Sequence, residues 1–265
     1  MSTLLDNHFE LLKKDVTITS EAVSGLIHFV SCLYVLPVIP RQLVNAGFSI
    51  SQTISATSIS CSLGCILSSY LTNLPFVIAP PTSISIYLSA YLQQYKLSRD
   101  GGRAAVMLSG LALLAIGIIR PINRLVTKLI PGCIQASTAV GIGLITALTG
   151  LIDIKLVIPG TYTILTSGEV TLSIVISVIS ILIIGAAMEF HIQGGFAIGL
   201  VFGAMVWWAK TDSFPSEIVR MPSVFVDHDM QIAYSEFCST EVLVLVFNLV
   251  FLYVLTLNGL AKVIF

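Results

Sequence analysis

The sequence predicts an all-helical integral membrane protein of about eight spans, and three observations predict it. The 265 residues are 55% hydrophobic and only 10% charged, with a mean hydropathy of +0.96, where a soluble domain carries roughly a quarter charged residues. Apolar runs near the length needed to cross about 30 Å of hydrocarbon recur along the chain. One of them, Asn73 to Tyr95, is interrupted by Ala79-Pro80-Pro81-Thr82-Ser83. Each proline lacks an N–H and clashes with the preceding turn, so carbonyls ahead of the break lose their helical partners. Inside a bilayer such backbone is tolerated where protein or a watery cavity satisfies it, and transporters use broken helices to bind solutes near the midplane. The residues point to an unwound, solute-facing segment, extended over residues 74–81, with a helix starting near Thr82. The competing readings are a plain kink and a loop at the membrane surface.

Charge and reactive side chains exclude several classes. The net charge is -1 and the pI about 6.4, and no basic tract supports nucleic-acid binding. The five cysteines, Cys32, Cys61, Cys65, Cys133 and Cys238, lack the close pairing of a disulfide or metal framework. Cys61 and Cys65, one helical turn apart, read as small residues at a helix contact. His8, His28, His191 and His228 form no metal spacing, and no Ser–His–Asp set can be placed. No enzyme, metal or cofactor is expected. His28, inside the first span, is either a functional group or an imidazole bonded to a neighbouring helix.

Taken in order, residues 1–20 form an amphipathic segment whose stripe of Leu4, Leu5, Phe9, Leu11 and Leu12 suits a membrane surface. Its charges, and the spanning length of the run that follows, argue against a cleaved signal peptide. Residues 21–209 hold about seven runs: Glu21 to Pro40, Ser49 to Thr72, the broken segment, Ala104 to Ile119, Ile130 to Leu151, Val170 to Met188 and Gly194 to Ala209. The second and fifth are rich in Ser, Thr, Cys, Ala and Gly, so they are expected to pack against protein on most sides. KLSRDGGR, residues 96–103, reads as a polar turn, which leaves the fourth run short for a crossing. Arg120, Arg124 and Lys128 mark an interfacial connector, residues 152–169 hold two turns, and Trp207-Trp208 lie at an interface. Residues 210–240 are a polar excursion and 241–265 one further span, ending on AKVIF as if truncated. Basic residues divide almost evenly between the two sides, so the positive-inside rule does not orient the chain.

Four stretches carry a resemblance to a known family: EAVSGLIHFVSCLYVLPVIP followed by NAGFS, the small-residue second span ending in NLP, NLPFVIAPPTSISIYLSAY, and IPGCIQASTAVGIGLITALTGL with Ile130-Pro131 and Gly141-Ile142-Gly143-Leu144. In order they resemble the N-terminal half of nucleobase permeases of the xanthine/uracil permease superfamily, closest to the adenine–guanine–hypoxanthine branch, over roughly residues 5 to 265. The resemblance implies one inverted-repeat half of a seven-plus-seven fold, with a broken third helix and the first span of the second repeat. It implies secondary active transport of a purine-type nucleobase at the plasma membrane, with a proton or cation as coupling ion. A homodimer or a complementing chain are further expected partners besides the bilayer. The substrate-binding candidates are Pro81, Thr82, Ser83 and Ser85 at the break, with Ser137 and Thr138 beside Gln135 at the start of the fifth span, two helix starts forming one positive-dipole pocket. The alternative for these hydroxyls is bonding to carbonyls one turn back.

The chain also departs from the family. Pro81-Thr82-Ser83-Ile84-Ser85 stands where the branch usually has Gly-Met-Gly-Leu-Asn, and Ile39-Pro40 where Asn-Pro is typical. Leu252 occupies the place of the family's acid on the eighth span, and Glu241 is about 16 Å away along a helix. Two functions follow: a purine nucleobase permease, or a truncated, non-transporting membrane protein or half-transporter that needs a second chain. With one broken segment and no placed acid, the chain alone is expected neither to transport purines nor to bind them detectably.

Overall fold

The computed structural model describes residues 17–72, 77–119, 121, 125, 128, 130–160, 163–192, 194–212 and 239–264. The expected surface segment before residue 17, most of the connector near Arg120 and most of the polar excursion at 210–240 lie outside these residues. The described elements are α1 (Ile18–Cys32), α2 (Val35–Val44), α3 (Ile50–Thr72), α4 (Thr82–Gln94), α5 (Arg99–Ile118), α6 (Gly132–Asp153), β1 (Val157–Pro159), β2 (Leu165–Ser167), α7 (Leu172–Glu189), α8 (Gly195–Thr211) and α9 (Thr240–Ile264). Among the described residues, six stretches are long and apolar enough to cross a membrane: Ile18–Val44, Ile50–Thr72, Arg99–Ile118, Gly132–Asp153, Leu172–Glu189 and Thr240–Leu257. The shorter α4 and α8 complete a helical, multi-pass architecture.

One expectation about an element limit is corrected, and strand pairing is added to the turns of residues 152–169. The polar stretch 96–103 is only half a turn: Ser98 caps α5, its Oγ accepting from Gly101 N–H at 2.9 Å, with Asp100 in the first turn. The helix therefore absorbs Arg99 to Arg103 and gains the length to span. Residues 152–169 contain an antiparallel hairpin in which Val157 pairs with Ser167 and Pro159 with Leu165.

The chain divides into two compact units. The first comprises residues up to Pro37, Ala56–Ala79 and Leu151–Pro222. Its core is the pair α7–α8, joined by a tight link in which His191 and Gly194 take φ of 53° and 79°. Gly195, Gly199 and Gly203 recur every four residues along α8 and seat α7. A Cβ at Gly195 would lie 2.6 Å from Ala187 Cβ, and one at Gly203 2.9 Å from Ser180 Oγ. At Gly199 it would overlap Ile184 outright. Small residues at this spacing let helix backbones approach closely, which in lipid replaces the hydrophobic drive to associate. Helix α1 joins at the link, where a Cβ on Gly194 would meet Ile27 Cγ2 at 3.0 Å, and Tyr34 meets Phe196 edge-on at 6.1 Å.

The second unit comprises Val38–Ser55, Pro80–Gly150 and the described residues of α9. Here α9 packs on α5 and α4. Val242, Leu245 and Leu249, spaced at helical intervals, are 0%, 0% and 1% exposed, and Gly101, Gly102, Ala104, Ala105 and Ser109 are the buried residues of α5. The α4 tyrosines tie in α9: Asn248 Nδ2 donates to Tyr87 Oη at 2.9 Å, and Tyr91 Oη donates to the Glu241 carbonyl at 3.1 Å.

The small-residue helices α3 and α6 depart from expectation. None of the spanning window of α6, and 11% of that of α3, is buried. Their small side chains create room for neighbours, but close approach also needs a facing helix, and among the described residues α6 belongs to none of the three closely packed pairs of its unit.

Gly199→Ala is expected to lower stability by about 1–3 kcal/mol through overpacking against Ile184, whereas Gly185→Ala, with open space around it, is neutral or stabilising. Thermal unfolding in detergent micelles checks this. Asn248→Ala should cost about 1 kcal/mol in the same assay, the worth of one part-buried hydrogen bond.

Candidate solute-binding site at the helix break

The prolines act as the sequence predicts. Residues 77–81 have no regular structure, Pro81 is extended at φ -70° and ψ 130°, and α4 begins at Thr82. Residues 73–76, where the extended stretch was expected to begin, lie outside the described residues. A proline just ahead of a helix start suits its fixed φ, but it offers no side-chain cap, and none is present here. The first turn of α4 thus keeps N–H groups that its own side chains do not cover, at the positive end of the helix dipole.

The side chains of that turn face inward. Thr82 and Ser85 are 7% and 8% exposed. Ser83 Oγ is buried without a hydrogen-bond partner, one of two such side-chain atoms among the described residues. One helical turn beyond Ser85, Ser89 Oγ accepts from Gln93 Nε2 at 3.1 Å and is satisfied. An unpaired buried hydroxyl costs about 1–3 kcal/mol, a cost that a partner at Ser83 Oγ would recover.

Ser137 and Thr138 are differently placed. Both lie on α6, in the same unit as α4, and donate to carbonyls one turn back, Ser137 to Cys133 and Thr138 to Ile134, each at 2.8 Å. Each hydroxyl keeps free acceptor lone pairs but has its proton engaged. The side chain of Gln135 lies outside the described residues. His28 sits on an exposed face of α1. At Leu252, where the resemblance implies an acid, the main-chain carbonyl accepts from Thr256 Oγ1 at 2.7 Å.

Sequence reasoning passed over Gln42. It lies on α2 in the second unit, and its Oε1 is the other buried atom without a partner. The available signal was an amide inside the apolar run VLPVIPRQLV. The open depression on α8 lined by Ala197, Ile198, Val201 and Phe202 offers no polar side chain and does not suit a heterocycle.

The model of the Permease family, that of the xanthine and uracil permeases, matches residues 19–263. The guanine/hypoxanthine permease PbuO of Bacillus subtilis is 25% identical over 205 residues, covering 75% of this chain and 46% of the relative. The adenine permease AdeP of Escherichia coli is 23% identical over 221 residues, covering 83% and 49%. The nucleobase transporter PlAzg2 of Paenibacillus larvae is 32% identical over 132 residues, covering 49% and 26%. The chain spans about half the length of the first two of these relatives. It is a multi-pass integral membrane protein, and it belongs to the permease family of xanthine and uracil permeases.

Proposed function

We propose that this chain supplies one half of a plasma-membrane carrier for purine-type nucleobases, and that it acts by binding and moving a solute rather than by transforming it. The observation that carries this reading is the orphaned Ser83 hydroxyl at an uncapped helix start directly after a backbone break, in a member of a permease family. A purine presents ring nitrogens and exocyclic oxygen or nitrogen around a flat apolar face. The hydroxyl and the free N–H groups of α4 suit its acceptors, while Ile84 and Leu88, buried on the same helix, supply apolar surroundings. The names of the relatives, guanine/hypoxanthine and adenine permeases, support purines over pyrimidines. In this reading Pro81, Thr82, Ser83 and Ser85 form one wall and Ser137 and Thr138, by their acceptor lone pairs, a second.

Residues 21–209 act as the first transporter repeat and 241–265 as a span of the second, with 210–240 between them. Coupled symport needs a titratable group whose charge changes with solute binding. Leu252 supplies none, so in this reading the coupling group for a proton or cation comes from outside residues 1–265, from a continuation of the polypeptide or a complementing chain; a homodimer of identical copies would not add it. The unburied small-residue surface of α6 favours such a partner.

Uptake of radiolabelled adenine, guanine, hypoxanthine, xanthine and uracil, in cells lacking their own nucleobase carriers, tests this. The chain alone should match empty vector for all five. Saturable purine uptake that is lost in Ser83→Leu would keep the purine site and overturn the half-carrier reading. Should that occur, Ser83→Ala is expected to raise KM roughly 2- to 12-fold, the worth of one neutral hydrogen bond. Saturable uptake of uracil without purines would overturn the substrate assignment.

A further inference from the structure

The extended backbone ahead of α4 is held by a side chain that solute binding does not use. Ile78 lies in the unwound stretch, and in a bilayer its N–H and C=O both require partners. One residue of α3 supplies both: Ile78 N–H donates to Cys65 Sγ at 3.2 Å, and the Cys65 thiol donates to the Ile78 carbonyl at 3.6 Å. Closing both polar groups of one residue from one side is what a hydrogen-bonded neighbour does in an antiparallel ladder. A thiol can do it because sulfur is a weak donor and a weak acceptor at once.

The adjacent glycine makes the approach possible. A Cβ at Gly64 would lie 3.3 Å from Ile78 Cγ2 and 3.6 Å from Ile78 Cβ, so the Ile78 side chain rests on bare α3 backbone. Gly64 and Cys65 therefore form one seat, in which the glycine admits the side chain and the cysteine binds the main chain. Both residues and Ile78 belong to the first compact unit.

We infer that Cys65 is the positioning residue of the helix break, its thiol standing in for a strand neighbour and fixing Ile78 four residues before Thr82. Cys61, one turn earlier, and Cys32 are available as controls of the same chemistry. The role matters for transport only if the break faces solute, as proposed above, but its test does not pass through transport.

The test is hydrogen–deuterium exchange of the purified full chain in detergent, followed at the Ile78 amide. Pro80 and Pro81 have no N–H, so few amides overlap it. Cys65→Ala should speed exchange at Ile78 by about fivefold or more while exchange in α8 stays unchanged. Cys65→Ser should restore much of the protection, and Cys61→Ser should leave it at the wild-type level. Ile78 exchange in Cys65→Ala within twofold of wild type, or loss of protection in Cys65→Ser equal to that in Cys65→Ala, would overturn the role. If Cys65→Ala does not fold, maleimide reactivity of the folded wild-type chain decides: Cys65 should react several-fold more slowly than Cys61, and equal rates would overturn the role.

Discussion

Everything distinctive about this chain follows from one constraint: a backbone polar group in hydrocarbon has no water to fall back on. The described helices and the hairpin meet that constraint, closing backbone bonds within themselves. The exception is the stretch before Thr82, where two adjacent prolines forbid helix and remove two donors. Within it, both backbone polar groups of Ile78 draw on a tertiary partner, Cys65. Beyond the break the Ser83 hydroxyl stays without a partner, and it is the group that the proposed site would offer a solute.

The rest of each unit keeps helices close without relying on apolar burial, which lipid makes worthless as a drive for association. In the first unit the glycines of α8 bring α7 into backbone contact. In the second, Val242, Leu245 and Leu249 pack at the α9 interface while Tyr87 and Tyr91 contribute directed hydrogen bonds to α9. Those bonds fix α4 along its length, and α4 is the helix whose first turn carries Thr82, Ser83 and Ser85.

Much of the fold is legible in the sequence because spanning helices must be long, apolar and nearly uncharged. The α4 start is legible for a stronger reason, since Pro80 and Pro81 leave the backbone little choice. The start of α5 is harder to read: charged Arg99, Asp100 and Arg103 look like a turn until Ser98 is recognised as the cap, after which Arg103 pairs with Asp100 at 3.1 Å inside the helix. The packing of α3 and α6 is not legible from small residues alone, because composition permits close contact without supplying the neighbour. At the site the same limit applies. Thr82 and Ser85 are buried and Ser83 is orphaned, while Ser137 and Thr138 engage their own helix, and residue types do not distinguish these outcomes. Cys65 and Gln42 escape notice because each draws its meaning from what lies opposite it.

The central claim is that the first turn of α4 is a purine-facing surface. Photolabelling with 8-azidoadenine in native membranes, followed by peptide mapping, tests it most directly, because covalent capture records a site too weak for equilibrium binding. The account predicts label within residues 77–89, suppressed by excess adenine or hypoxanthine and lost in Ser83→Leu. Label that falls elsewhere, or that excess purine does not suppress, would contradict it.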